Sequence, residues 1–205
     1  MSPVEGLDRL IAAELQANLS GAIIGRKIVV LEQTGSTNDA ILRSATPNQK
    51  EGLVLFAEHQ TAGRGQRGNR WESSAGKGLW FSILLQPKIE INNSPWLTAW
   101  AAEAVSDAIR HEFSLQTTIK LPNDVQIAGR KVAGVLIEMR AQEKAPHLAV
   151  AGIGINVNQS LEEFPGALEG RAISLAMSLG RQVDRQRFAA VLLRRLDRSY
   201  RERFG

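Results

Sequence analysis

The sequence predicts an α+β fold, and three observations carry that reading. Apolar and β-branched segments arrive in hairpin-like pairs, helical periodicity returns only at intervals, and no repeat, low-complexity tract or linker divides the chain. A strictly alternating βαβ protein would set a helix after nearly every strand, and this pattern does not.

Taken in order, residues 4–19 read as an amphipathic helix, with Leu7, Leu10, Ile11, Glu14 and Leu15 at helical spacing. Gly21 and Gly25 break it, and 27–32 is a β-branched strand. Ser36 or Thr37 can cap a second helix over 38–44 that stops before Thr46-Pro47. A buried strand over 53–58 leads into a long connection over 60–78, which holds Gly63, Gly65, Gly68, Gly76 and Gly78. The strand over 79–85 is closed by Pro87. Ser94-Pro95 opens the longest helix, running to about Phe113, with Leu97, Ala101, Ala104, Val105 and Ala108 facing inward. A strand over 117–121 precedes a hairpin, 125–127 and 132–139, that turns at Ala128-Gly129. A further strand covers 147–157. The terminal helix begins near Asp184, with Phe188, Val191, Leu192 and Leu196 as its apolar stripe.

At 205 residues and 43% hydrophobic content, the chain is expected to be a single domain over 1–205 with a sizeable core. It has no cysteine, which excludes a disulfide scaffold, a thiolate-ligated zinc site and a thiol nucleophile. No apolar run approaches the roughly 20 residues of a membrane span. Glu5 and Asp8 stand where a signal peptide would be apolar, so a soluble, cytoplasmic protein with no membrane partner is expected. The net charge is +4. From Arg181 onward eight arginines face only Asp184, Asp197 and Glu202, so the surplus belongs to the terminal helix. That helix is read as a solvated basic face in preference to a nucleic-acid footprint.

Four stretches carry chemistry-bearing residues. The loop Gln60-Thr-Ala-Gly63-Arg64-Gly65-Gln66-Arg67-Gly68-Asn69-Arg70-Trp71 alternates glycine with cations. Glycine lets backbone N–H groups approach an anion, and arginine matches phosphate or carboxylate oxygens with paired donors. Lys120-Leu121-Pro122-Asn123-Asp124 is followed after a turn by Lys131, so an acid and a lysine can converge for acid–base work or nucleotide binding. Gly152-Ile-Gly154-Ile-Asn156 leaves one face of a strand without side chains, as happens where a ligand or another backbone presses close. Gly35-Ser36-Thr37-Asn38 offers hydroxyls and an amide at a helix start. Each also has a purely structural explanation: a surface hairpin, an Asx turn, tight packing, a helix cap.

In this order, together with Trp71 and Lys131-Val-Ala-Gly134, the stretches resemble one family, the biotin–protein ligases, in particular their catalytic domain, over about residues 25–158. The resemblance implies a mixed, largely antiparallel sheet flanked by helices, the fold shared by class II aminoacyl-tRNA synthetases and biotin ligases. It implies a two-step reaction in which the biotin carboxylate attacks the α-phosphorus of ATP, with Mg²⁺, giving biotinyl-5′-AMP and pyrophosphate. A lysine of a biotin carboxyl carrier protein, that of acetyl-CoA carboxylase, then takes the biotinyl group. Carried onto this sequence, Ser36, Thr37, Asn38 and Gln60 resemble the biotin-head contacts. Gly152 and Gly154 resemble the wall behind the bicycle, and Arg64, Gly65 and Gln66 the loop that closes over it. Lys131, with Arg64 and Arg67, would meet the developing charge. Trp71 would pack on adenine, and Asn123, Asp124 and Asn156 would approach the ribose or nucleotide. The acceptor amine is about 0.04% neutral at pH 7, and Asp124 is the candidate base.

Two departures from the family pattern stand out. Gln66 and Asn69 occupy positions where the loop commonly carries arginine, so Arg67 or Arg70 is expected to substitute in part. About 25 residues precede the resembling region and the sequence stops where the family's C-terminal β-barrel-like domain would start, so neither a DNA-binding helix-turn-helix domain nor a DNA partner is expected. Three rivals remain: a lipoate or octanoate transferase, a biotin-binding pseudo-ligase, and a nucleic-acid module built on the arginine-rich terminal helix. Octanoyl transfer would need a cysteine, which the chain lacks.

Overall fold

The computed structural model describes residues 9–19, 21–44, 50–142 and 147–205. Their elements are α1 (Ala12–Ala17), β1 (Lys27–Thr34), α2 (Thr37–Ser44), β2 (Leu53–Gln60), β3 (Gly78–Leu85) and α3 (Ser94–Phe113). There follow β4 (Thr118–Lys120), β5 (Asp124–Ile127), β6 (Arg130–Arg140), β7 (Leu148–Asn156), α4 (Leu175–Leu179) and α5 (Arg185–Phe204). The strands form one seven-stranded sheet in the order β1-β2-β3-β7-β6-β5-β4. Only β1 and β2 pair in parallel; the remaining five pairings are antiparallel. The expected mixed, largely antiparallel α+β sheet is what the chain forms.

β2 and β3 lie inside the sheet, next to the central strand β7, and are buried on both faces. Val54 and Phe56 of β2 and Phe81 and Ile83 of β3 face the main core, formed with α1, α3 and α5. Leu53, Leu55, Leu84 and Val150 face the other way and are covered by Ala40 and Ile41 of α2. Beyond α2 that second face carries glycines and a serine among its apolar side chains. Ser82 lies opposite Gly152, Trp80 opposite Gly154, and Gly154 opposite Gly134. A hollow therefore opens there, between α2 and the β5–β6 hairpin. The hairpin turns at Ala128 (φ 49°) and Gly129 (φ 75°), both in the left-handed region that a two-residue turn requires.

Three expectations need correction. Among the described residues the N-terminal helix covers only α1; Arg9 to Ile11 are not helical, and Val4 to Asp8 lie outside the described residues, as does Thr46-Pro47. Leu10 is buried but spends its N–H on Glu58 Oε1 at 2.9 Å, which fixes an extended entry. The terminal helix is no solvated appendage. Phe188, Leu192, Leu196 and Tyr200 are buried, with Phe113–Phe188 and Trp100–Tyr200 ring pairs against α3, while Val191 is only half-buried. Burial and the Glu51 carboxylate push the Tyr200 hydroxyl well above its ordinary range, so it stays protonated and donates to Glu51 at 2.8 Å. Arg187 and Arg203 pair with Glu112 and Glu103 across the α3 interface. Finally, the long connection 60–78 is not structureless: it is a small hairpin, described below.

Asp197 of α5 accepts the N–H groups of Ile23 (2.7 Å) and Ile24 (2.9 Å). Removing a buried acceptor strands both donors, so Asp197→Ala is expected to lower stability by about 2 kcal/mol. Urea unfolding of the two proteins measures this directly.

Candidate active site

The hollow begins with a chain of buried polar groups. Ser36, Thr37, Asn38 and Gln60 are each less than a tenth exposed. Gln60 Oε1 accepts the Thr37 N–H (2.8 Å) and the Thr37 hydroxyl (3.1 Å), while Gln60 Nε2 donates to Ser73 Oγ at 3.2 Å. Ser82 Oγ lies 2.8 Å from Thr37 Oγ1 and 2.5 Å from Asn38 Oδ1. The Asn38 amide donates in turn to Glu138 Oε2 at 2.7 Å. Thr37 and Asn38 begin α2, and Gln60 ends β2 beside them, so the two elements meet through these bonds. Buried polar groups held this way are oriented and costly to leave unpaired.

The loop over 60–78 folds back on itself. Gly65 N–H donates to Asn69 C=O (2.7 Å) and Trp71 N–H to Gly63 C=O (2.9 Å), around a short turn at Gln66–Gly68. The hairpin delivers Trp71 onto the sheet. A Cβ at Gly154 would lie 2.5 Å from the Trp71 indole and one at Gly134 would lie 2.9 Å from it. A Cβ at Gly152 would lie 2.2 Å from Asn38 Oδ1. The two glycines expected to back a ligand directly thus admit the protein's own Trp71 and Asn38, because a flat indole and an amide fill the space first. They still line the hollow.

Asp124 and Lys131 converge as their spacing predicts, with Oδ1 and Nζ 2.7 Å apart. Lys131 Nζ also sits 5.1 Å from the Trp71 ring centroid, within cation–π range. Its backbone is held from both sides: its N–H donates to Arg171 C=O (2.8 Å), and its C=O accepts Ile173 N–H (3.0 Å). Asn156, expected at the nucleotide, directs its amide at the carbonyls of Lys131 (3.4 Å) and Ile173 (3.3 Å). Asn123 donates to Val135 C=O at 2.9 Å. Both asparagines therefore spend their N–H₂ groups on the frame that carries Lys131 and Asp124.

Two cavities, of about 350 Å³ and 500 Å³, lie on either side of this pair. The first is lined by the Ser36–Thr37–Asn38 and Gln60 groups, the loop residues Arg64, Gly65, Gln66 and Arg67, and Gly152 and Gly154. The second is lined by Asn156, Phe164, Leu168 and Arg171. Asn69, Arg70, Trp71, Lys120, Asp124 and Lys131 line both, so they form the partition, with the Lys131–Asp124 pair and the Trp71 ring within it. Both volumes fall in the usual range for small-molecule sites.

Most cations here arrive already paired. Arg64, expected to close over the ligand and meet developing charge, donates to both Glu138 oxygens (3.0 and 2.7 Å) and to Asp39 (2.8 Å), a carboxylate clasp at the edge of the first cavity. Arg70 pairs with Glu72 (3.2 Å) and donates to Thr61 C=O. Arg67 lines the first cavity with no ion pair among the described residues, which makes it the better placed of the two loop arginines to meet an anion. The sequence reading missed Asp39, Ser73, Ser82, Glu138 and the Phe164–Arg171 wall. Ser82 did leave a signal: it is the one hydroxyl in the otherwise apolar run Leu79-Trp-Phe-Ser82-Ile-Leu-Leu85.

The sequence model of the Biotin/lipoate A/B protein ligase family matches residues 30–156. The chain is 36% identical over 194 residues to the bifunctional ligase/repressor BirA of Bacillus subtilis, covering 95% of this chain and 60% of that protein. It is 38% identical over 190 residues to a biotin--[acetyl-CoA-carboxylase] ligase of Mycobacterium tuberculosis, covering 89% and 68%. Among solved structures it resembles the Aquifex aeolicus biotin protein ligase in complex with biotin and ATP, with a TM-score of 0.73 and 33% identity over 86% of this chain and 72% of that one. The chain thus spans about three-fifths of the length of the BirA relative.

Proposed function

This chain belongs to the Biotin/lipoate A/B protein ligase family, and we propose that it activates biotin as biotinyl-5′-AMP and transfers it to a lysine of a carboxyl carrier protein, that of acetyl-CoA carboxylase. The observation that carries this reading is the partition. Adenylation requires a carboxylate from one ligand to meet the α-phosphorus of another. Here two adjoining cavities share a wall that contains the Lys131–Asp124 ion pair.

In the first step a biotin carboxylate oxygen bonds to the α-phosphorus and pyrophosphate leaves. The Thr37, Gln60 and Ser82 groups fit the donors and acceptors of a ureido ring, and Lys131 and Arg67 offset the charge that develops at the phosphoryl oxygens. Among the described residues no three His, Asp or Glu side chains are grouped as metal ligands. Mg²⁺ is accordingly proposed as part of the Mg-ATP substrate, held mainly by phosphate oxygens. In the second step the carrier amine bonds to the acyl carbon and AMP leaves. Asp124 Oδ2, opposite the oxygen that Lys131 holds, takes the amine proton. The buried polar chain and the relatives' names support this account over a lipoate substrate, whose dithiolane ring offers no hydrogen-bonding counterpart to Thr37 and Gln60. A cytoplasmic setting is proposed with it; no described helix is long and apolar enough to cross a membrane.

The test is ATP–pyrophosphate exchange. Exchange should depend on biotin and not arise with lipoate; exchange driven by lipoate, or none with either acid, would contradict the reading. A finer expectation concerns Thr37→Val, which keeps the shape but removes the hydroxyl between Gln60 and Ser82. Leaving buried partners unsatisfied costs the free protein about 2 kcal/mol of stability, which urea unfolding reads, and the disordered pocket should raise KM for biotin with kcat nearly unchanged.

A further inference from the structure

The most exposed large apolar side chain among the described residues stands at the mouth of the first cavity. Leu121 is 81% exposed, ahead of Trp96 at 59%, and it belongs to neither apolar core. It occupies the turn between β4 and β5, next to exposed Pro122 and Lys120, three residues before Asp124. Across the mouth stands Arg67. Lys120 and Arg67 are exposed and have no ion pair among the described residues, unlike Arg64, Arg70 and Lys131. The rim is thus an apolar knob with one cation, Lys120, beside it and free to meet a partner, Arg67 being given above to the phosphoryl charge.

Given the ligase reading above, on which this rests, we infer that Leu121 is a docking residue for the carrier protein. The acceptor amine must reach the acyl carbon beside Lys131. A lysine stem is only four carbons long, so the backbone that bears it has to come down onto the rim. The features that backbone meets there select its chemistry. A partner that fits carries an apolar side chain next to its acceptor lysine, to cover Leu121, and a carboxylate near it, to face Lys120. Biotin and ATP are enclosed deeper and do not need the leucine side chain.

Measuring the two half-reactions separately tests this. In Leu121→Ser, biotin-dependent pyrophosphate exchange should match the unaltered protein, which also shows that the variant folds. KM for the carrier should rise about tenfold, the loss expected when a leucine contact is removed from an interface. Leu121→Met should restore the lower value, and added salt should raise the carrier KM of the unaltered protein as Lys120 is screened. An unmoved carrier KM in Leu121→Ser would overturn the docking role alone. Loss of exchange in that variant would also overturn it, by placing the leucine in the substrate cavity. If the unaltered chain shows no exchange at all, the ligase reading falls and the docking falls with it.

Discussion

Replacing Lys131 with alanine is expected to slow biotin-dependent pyrophosphate exchange by about 10²–10³-fold, the usual consequence of deleting a fixed donor aimed at developing charge. The geometry supports so large an effect. Nζ is positioned by Asp124 at 2.7 Å and by the face of Trp71, while the backbone is anchored to Arg171 and Ile173. A cation that is already oriented stabilises a transition state without reorganisation, which is why it should appear in kcat more than in KM for biotin. Stability should change far less, because the side chain is a third exposed and the ion pair is worth at most about 1 kcal/mol. Exchange kinetics beside urea unfolding separate the two effects. Arginine should not rescue the variant, since its planar fork cannot occupy the compact space over Gly134, where a Cβ would already lie 3.1 Å from Nζ.

The second large effect belongs to Asp124. Asp124→Asn keeps the shape but removes the base, and transfer from preformed biotinyl-5′-AMP to the carrier should slow about a hundredfold. The same substitution loosens Lys131, so exchange should fall as well, though by less than about tenfold because Trp71 and the backbone anchors remain. Single-turnover transfer from isolated adenylate measures the difference. Full transfer by Asp124→Asn would remove the base assignment while leaving adenylation by Lys131 standing.

How much of this was legible depends on how local each cause is. The β5–β6 hairpin and α3 were readable because Ala128-Gly129 and Ser94-Pro95 signal them within a few residues. The meeting of Asp124 with Lys131 followed from the hairpin. The clasp on Arg64 was not readable, since Asp39, Arg64 and Glu138 are joined only when α2, the loop and β6 come together. The buried Arg185–Glu58 pair, 127 residues apart, is another case, and it turned an arginine counted as surface charge into part of the core. The Phe164–Arg171 wall is built from single short turns that carry no periodicity to detect. The purpose of the glycines was half legible. Their need for close approach was evident, but it is Trp71 and Asn38 that approach.

The central claim is that the shared wall of the two cavities joins biotin to AMP and then to a carrier lysine. Intact-mass and peptide mass spectrometry of a carboxyl carrier domain, incubated with this protein, biotin and Mg-ATP, tests it most directly. The account predicts one biotinyl group on one lysine, lost when ATP is omitted and strongly reduced in Lys131→Ala. A carrier that stays unmodified while the protein binds biotin would contradict it and mark the chain as a biotin-binding pseudo-ligase.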